Sequence, residues 1–353
     1  MKVLIHGATN WGSSNFGDFI YVEAIIRHLK DSKTCESLKI AQPSEYFLKY
    51  ITKRKYENFK NSEADVLIYA PGGYFGEGHQ YRIRDVIIHF IRFFVVGIIA
   101  SLRGKKIFVL GIGAGPINNW LFKLAVKYIC RNAYSISVRD KESYDALTEI
   151  GLGNITLNFD PIVSISLKDW AIENKKVVLK TGCKNVLIHY NHSELAMKYF
   201  AEAIKKFCSE HKNINVIVSS DQVLANEDIL YRKFNEVSGI DAFKYKYDNP
   251  YEFISLIKMC DAVLTCKLHV GVVAMMFEKS VVCAAEHPEK TERFYKHIGC
   301  PERCVSLYET NSEEILHKLN IFFNEKKQFF SDEDLKKSSM VWDKLDNLDE
   351  VRV

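Results

Sequence analysis

The chain has no Cys-x-x-Cys pair, although nine cysteines are spread along its 353 residues. Zinc ribbons and thioredoxin-type redox centres are built on that spacing, so neither is expected. The cysteines fall instead in apolar runs such as Ile129-Cys130 and Val282-Cys283, and Cys260 and Cys266 bracket a predicted strand. They read as reduced core residues of an intracellular protein. His189 and His192 stand three apart but straddle a strand–loop transition, and no metal site is expected. Arginine-rich tracts and nucleic-acid-binding motifs are also missing. The formal net charge of +4 permits acidic ligands or an anionic membrane surface without pointing to DNA. No short repeat or low-complexity tract occurs. The opening MKVLIHGA reads directly as a strand, so no secretory leader is expected, and the location is read as cytoplasmic. Gly7, Gly12 and Gly17 follow that strand without forming Gly-x-Gly-x-x-Gly. The Tyr56–Lys60 spacing lies in a charged stretch too early for a short-chain dehydrogenase. Nicotinamide binding is therefore not expected.

What is present is a hydrophobic content of 47% with 26% charge, ordinary for a folded chain long enough for two domains. Strand-like runs alternate with helical ones. Strands are predicted at Val3–His6, Leu38–Ala41, Val66–Tyr69, Ile107–Leu110, Tyr134–Val138 and Ile155–Asn158. After a polar stretch they resume at Val186–His189, Ile214–Ser219, Ala262–Cys266, Val281–Ala284 and Cys304–Leu307. Helices are predicted near 17–31, 44–60, 81–103, 118–131 and 140–150, then near 193–210, 223–237, 249–260, 268–278, 288–299 and 312–326. This alternation predicts an α/β protein of two Rossmann-like domains with a central cleft. The boundaries are an N-terminal domain at 1–167, a linker at 168–184, a C-terminal domain at 185–330 and a partly helical tail at 331–353. One run, Val86–Leu102, is apolar apart from His89, Arg92 and Ser101. It is read as a helix packed on the sheet, with a peripheral membrane face as the alternative and a spanning helix disfavoured by Arg92.

Polar residues at strand ends are the candidates for chemistry, because ligands of open α/β sheets bind outside the carboxyl ends of strands. Lys267 and His269 follow Ala262–Cys266 at the start of a helix, where anions are favoured. His269 is read as the proton-handling group. Asn15 and Asp18 open the first helix, as cleft-facing polar residues or as simple caps. Pro71–Gly78 carries four glycines, Gly73 among them, and Glu77 as a candidate base or hydroxyl acceptor. The run from Gly111 to Pro116, which includes Gly113, could expose amides to a phosphate or sugar. Arg139 ends its strand with a fork suited to carboxylate or phosphate, the alternative being a salt bridge to Asp140 or Glu142. Lys290 and Arg293 follow Val281–Ala284.

With these residues in place, the chain resembles the polysaccharide pyruvyl transferase family over most of 1–300. The resemblance rests on Asn15-x-Gly17-Asp18, Gly72-Gly73, GIGAGP, Val138-Arg139, Asp160-Pro161 and the block from Asp261 through Lys290. It implies a GT-B-like arrangement of the two domains. It also implies transfer of the enolpyruvyl unit of phosphoenolpyruvate onto two hydroxyls of a sugar in a cell-surface polysaccharide or its precursor. The product would be a pyruvate ketal, with phosphate released and no cofactor required. His269, Asp18 and Glu77 would be catalytic. Arg139, Lys267, Leu268, Lys290, Asn15, Gly73 and Gly113 would bind donor or acceptor, the acceptor being lipid-linked or nucleotide-linked. The family usually has Arg-Leu-His where this chain has Lys267-Leu268-His269, and lysine keeps the charge without the bidentate fork. A nucleotide-sugar glycosyltransferase and a glycan-binding protein without turnover are the other readings.

Overall fold

In the computed structural model the apolar runs become two six-stranded parallel sheets. Parallel pairing needs a long crossover between strands and buries them on both faces. That is why Val66–Tyr69 and Ala262–Thr265 are buried throughout, without alternation. The structure describes residues 1–346 and 348, except 11, 78–81, 175 and 178.

The chain divides into two compact units. The first holds β1 (Lys2–His6), β2 (Ser37–Ile40), β3 (Val66–Tyr69), β4 (Lys106–Ile112), β5 (Ala133–Val138) and β6 (Thr156–Leu157), in the order β2-β1-β3-β4-β5-β6. Its helices are α1 (Phe16–Leu29), α2 (Glu45–Tyr50), α3 (Ile83–Phe93), α4 (Val95–Leu102), α5 (Trp120–Arg131) and α6 (Lys141–Glu149). The second unit comprises Asn15–Gly17, the start of α1, together with Ser166–Ser331. It holds β7 (Lys184–His189), β8 (Ile214–Ser219), β9 (Phe243–Lys244), β10 (Ala262–Thr265), β11 (Ser280–Ala285) and β12 (Cys304–Ser306), in the order β12-β11-β10-β7-β8-β9. Its helices are α7 (Glu194–Glu210), α8 (Glu227–Ser238), α9 (Pro250–Met259), α10 (Leu268–Met276), α11 (Pro288–His297) and α12 (Ser312–Phe322). A last helix, α13 (Asp332–Asp346), groups with the first unit.

Each sheet has one point where the strand order reverses. In the first unit it lies between β1 and β3, and in the second between β7 and β10. Loops on either side of such a point diverge and leave a crevice at the carboxyl edge.

Three elements differ from expectation. The helix predicted over 44–60 stops at Tyr50, because the following chain pairs beside β2: Leu38 N donates to Lys55 O and Glu57 N to Leu38 O. The helix predicted over 81–103 is two helices bent by 43°. At the bend the Tyr69 hydroxyl donates to Phe93 O at 2.9 Å, and Gly97 leaves the room that hydroxyl occupies. The two-residue β9 was not expected; it extends the sheet beyond β8.

Candidate functional site

In the first unit, the glycine loops after β3 and β4 are laced together. Gly113 N donates to Gly72 O at 2.8 Å, Gly115 N to Phe75 O at 3.1 Å and Glu77 N to Pro116 O at 2.8 Å. A Cβ on Gly76 would lie 2.7 Å from Gly115 O, so only glycine allows this approach. Gly73 is exposed with open space beside it. Gly78, the last glycine of the first loop, lies outside the described residues. The Glu77 carboxylate accepts a hydrogen bond from the Asn119 backbone just before α5, which ties the loop to that helix.

Arg139, at the end of β5, is buried. Its Nη1 donates to Asp160 Oδ2 at 3.2 Å and to the Tyr21 hydroxyl at 3.3 Å, while that hydroxyl donates to Asp160 Oδ1 at 2.7 Å. Asp140 is farther, at 3.8 Å from Nε. Burial works against the charge, but Tyr21, Asp160 and Asp140 outweigh it and hold the guanidinium above the ordinary arginine range. The principal ion-pair partner is thus Asp160, with Asp140, one of the two alternatives read from the sequence, as a longer second partner. A Cβ at Gly113 would come within 3.2 Å of Arg139 Nη2, so that glycine lies against the fork. Asp18, in the first turn of α1, acts electrostatically on Arg92 and Tyr74. Arg92 Nε in turn donates to Asn10 Oδ1 at 2.6 Å.

The second unit gathers a denser polar cluster at its strand-order reversal. Four neighbouring strands each deliver polar side chains at the carboxyl edge: His189 from β7, Asp221 after β8, Thr265 from β10 and Glu286 after β11. His189 Nδ1 and Thr265 Oγ1 lie 2.9 Å apart and bridge the two strands. On its other side, His189 Nε2 lies 3.4 Å from Asp221 Oδ1, both side chains being buried. Burial would raise the Asp221 carboxyl, but His189, Lys267 and His269 more than offset that and hold it below its ordinary value.

Thr265 also shapes the turn into α10, where its Oγ1 accepts from Lys267 N at 3.0 Å. Lys267 caps the helix, Leu268 begins it as a buried residue, and Lys267 Nζ sits 2.6 Å from Glu286 Oε2. Burial opposes the lysine charge, but Glu286 and Asp221 raise it above its ordinary range. The same pairing keeps Glu286 low despite its burial, helped by His192 at 3.6 Å. His269 is half-buried at the second position of α10. A Cβ placed on Gly17 would fall 2.0 Å from its Nδ1, so the imidazole lies directly on the Gly17 backbone. That segment is seated by Phe16, whose N donates to Asp221 O at 3.0 Å and whose ring meets Tyr247 and Phe253 edge-on.

The structure therefore brings Lys267, Leu268 and His269 together with the segment that contains Asn15 and Gly17. Lys290 is exposed in the first turn of α11, and Arg293 Nε donates to Glu289 O at 2.8 Å on the same helix. His189, Asp221, Thr265 and Glu286 were not singled out as site residues by sequence reasoning. Their signal was available: each ends or closely follows a buried strand, the criterion that selected Lys267. Among the described residues, no group of three or more His, Cys, Asp or Glu is arranged to hold a metal ion.

Comparison with known proteins adds the following. The family model of polysaccharide pyruvyl transferase matches residues 15–288. No curated protein sequence matches the chain. Among solved structures, it is similar to UDP-GlcNAc 2-epimerase from Neisseria meningitidis bound to UDP-GlcNAc, with TM-score 0.65 and 11% identity over 99% of this chain and 100% of that one. A putative UDP-N-acetylglucosamine 2-epimerase from Listeria monocytogenes gives TM-score 0.67 and 12% identity over 99% and 97%. Anabaena HepE in complex with UDP and glucose gives 0.59 and 15% over 99% and 100%. Identities this low show the fold alone, which is the expected α/β, GT-B-like fold of two Rossmann-like sheets.

Proposed function

This chain belongs to the polysaccharide pyruvyl transferase family, and on that premise we propose that it transfers the enolpyruvyl unit of phosphoenolpyruvate onto two hydroxyls of a sugar. The sugar belongs to a cell-surface polysaccharide or its precursor. The observation that carries the reading is the pairing of Lys267 and His269 at the start of α10, beside the strand-order reversal of the second unit. A helix N-terminus and a charged lysine suit the donor's phosphate and carboxylate. His269 delivers a proton to C3 of the enol, which makes C2 electrophilic. One sugar hydroxyl attacks C2, phosphate departs, and the second hydroxyl closes the ketal. Of the two hydroxyl protons, one replaces the proton that His269 gave to C3 and the other leaves on the released phosphate, so the exchange balances without a redox partner. Asp221 and His189 stand behind this pair, and His189, Lys267 and His269 together hold the Asp221 carboxyl below its ordinary value. On the pattern of the family, Asp18, Glu77, Gly73 and Gly113 are assigned to the acceptor. Arg139, fixed by Asp160, orders the loop that carries Gly113.

The test is incubation with phosphoenolpyruvate and a panel of lipid-linked and nucleotide-linked sugars. Phosphate release matched by a ketal-sized mass gain on the sugar is the expected result. A second reading, a nucleotide-sugar enzyme, draws support from the fold shared with UDP-GlcNAc 2-epimerases. Stabilisation by UDP, without turnover of phosphoenolpyruvate on any acceptor, would favour it.

A further inference from the structure

Two neighbouring helices of the first unit turn apolar stripes outward. On α3 these are Ile83, Ile87 and Ile91, which are 82%, 51% and 57% exposed. On α5 they are Trp120, Leu124 and Tyr128, and Ile99 and Leu102 of α4 are exposed as well. The four-residue spacing places each set on one helix face. The inward faces are packed in the ordinary way: the Phe122 ring of α5 stacks on His89 of α3 at 4.9 Å and meets Phe94 at 5.2 Å. The exposed stripes are thus not misplaced core.

The charge around them is one-sided. Between residues 82 and 131 stand nine lysines and arginines against a single acid, Asp85, in a chain whose net charge is only +4. Helical spacing sets Arg84 beside the α3 stripe and Lys123, Lys127 and Arg131 beside the α5 stripe. Beneath α3 and α4 lies a cavity of about 320 Å³, lined on one part by aliphatic residues that include Leu67, Val95, Ile91 and Ile99 and on another by polar ones that include Gln42, Asn61, Arg92 and Arg103. Ile91 and Ile99 belong both to the cavity and to the exposed set.

We propose that the α3–α4–α5 face of the first unit is a docking surface for an anionic lipid bilayer. An interfacial helix presents bulky apolar groups to the acyl boundary and cations to the headgroups, and tryptophan and tyrosine favour that depth. The aliphatic part of the cavity wall suits a hydrocarbon chain and its cationic rim a headgroup. The bend of 43° at the α3–α4 junction and Arg92 fit helices that lie on the surface rather than cross it.

The experiment is co-sedimentation of the full-length protein with vesicles of phosphatidylcholine alone and with a third phosphatidylglycerol, at low and high salt. Binding to the anionic vesicles, weakened by salt, is expected. Replacing Arg84, Lys123, Lys127 and Arg131 by Gln should cost about fivefold in affinity per charge, and Ile83→Ser with Ile87→Ser should weaken binding at every salt concentration. Arg84, Lys123, Arg131, Ile83 and Ile87 are exposed and Lys127 is half-buried, so the circular dichroism spectrum should not change. Equal binding to both vesicle types, or binding untouched by both variant sets, overturns the proposal. So does self-association of the wild type that Ile87→Glu abolishes, which would assign the face to a second copy of the chain.

Discussion

At the scale of single residues, the second unit's cluster is a balance of charges rather than a row of free cations. Lys267 has Glu286 at 2.6 Å, and Asp221 lies beside His189. Glu286→Gln leaves a largely buried ammonium without its nearest counter-charge. It should destabilise the protein by about 3 kcal/mol, read by chemical denaturation, and should lower the lysine pKa. Because Asp221 and Glu286 are held below the ordinary carboxylate value, they stabilise the fold above about pH 4. That stabilisation is lost as pH falls through their folded-state values, and Glu286→Gln removes one of the two carboxylates, so the variant's deficit against the wild type should be largest near neutral pH and should narrow as pH falls below about 4. His269 gives a separate prediction. His269→Ala should cost roughly 10²–10⁴-fold in turnover with little change in denaturation midpoint. Gly17→Ala should give part of the same loss by pushing the imidazole aside. Turnover unchanged in both would remove His269 from the chemistry.

At the scale of elements, α13 closes the first unit. Ser338, fully buried, donates from Oγ to Asp160 O at 2.8 Å and accepts from Ser164 N at 3.0 Å, while Trp342 Nε1 donates to Ser164 Oγ. Asp160 is also the carboxylate that holds Arg139, so the helix supports the turn that positions that arginine. Ser338→Ala leaves these groups unsatisfied and should cost roughly 1–3 kcal/mol, measured as a lower denaturation midpoint. Most elements were legible in the sequence because parallel strands buried on both faces write themselves as short β-branched runs. Val66–Tyr69 and Ile214–Ser219 come out with the predicted limits. What was not legible depended on distant partners. Helix α2 yields after Tyr50 to pairing beside β2, and β9 is only two residues long. The site divided the same way. Lys267 and His269 announced themselves by position, whereas Glu286 and Asp221 gained meaning only once β11, β10, β7 and β8 were known to be neighbours.

At the scale of the whole molecule, the two proposed readings call for different ligands. The GT-B-like fold is shared with proteins solved with UDP-GlcNAc or UDP, while the family match concerns pyruvyl transfer. Thermal denaturation separates the two. A ligand present at 100 times its Kd stabilises by about 2.7 kcal/mol, enough to move a melting curve clearly. Phosphoenolpyruvate should raise the midpoint, and that rise should shrink in Lys267→Met. A shift with UDP alone would move the assignment to nucleotide-sugar chemistry.

The last helix belongs to the unit that is begun first. During synthesis, a nascent chain that has just passed Ser331 already contains every segment of the second unit, including Asn15–Gly17, yet still lacks α13. The usual vectorial order, in which the N-terminal part matures first, is therefore reversed: the later-made unit can finish before the earlier one. Ribosome-stalled intermediates should show protease resistance in the second unit while the first is still being cut.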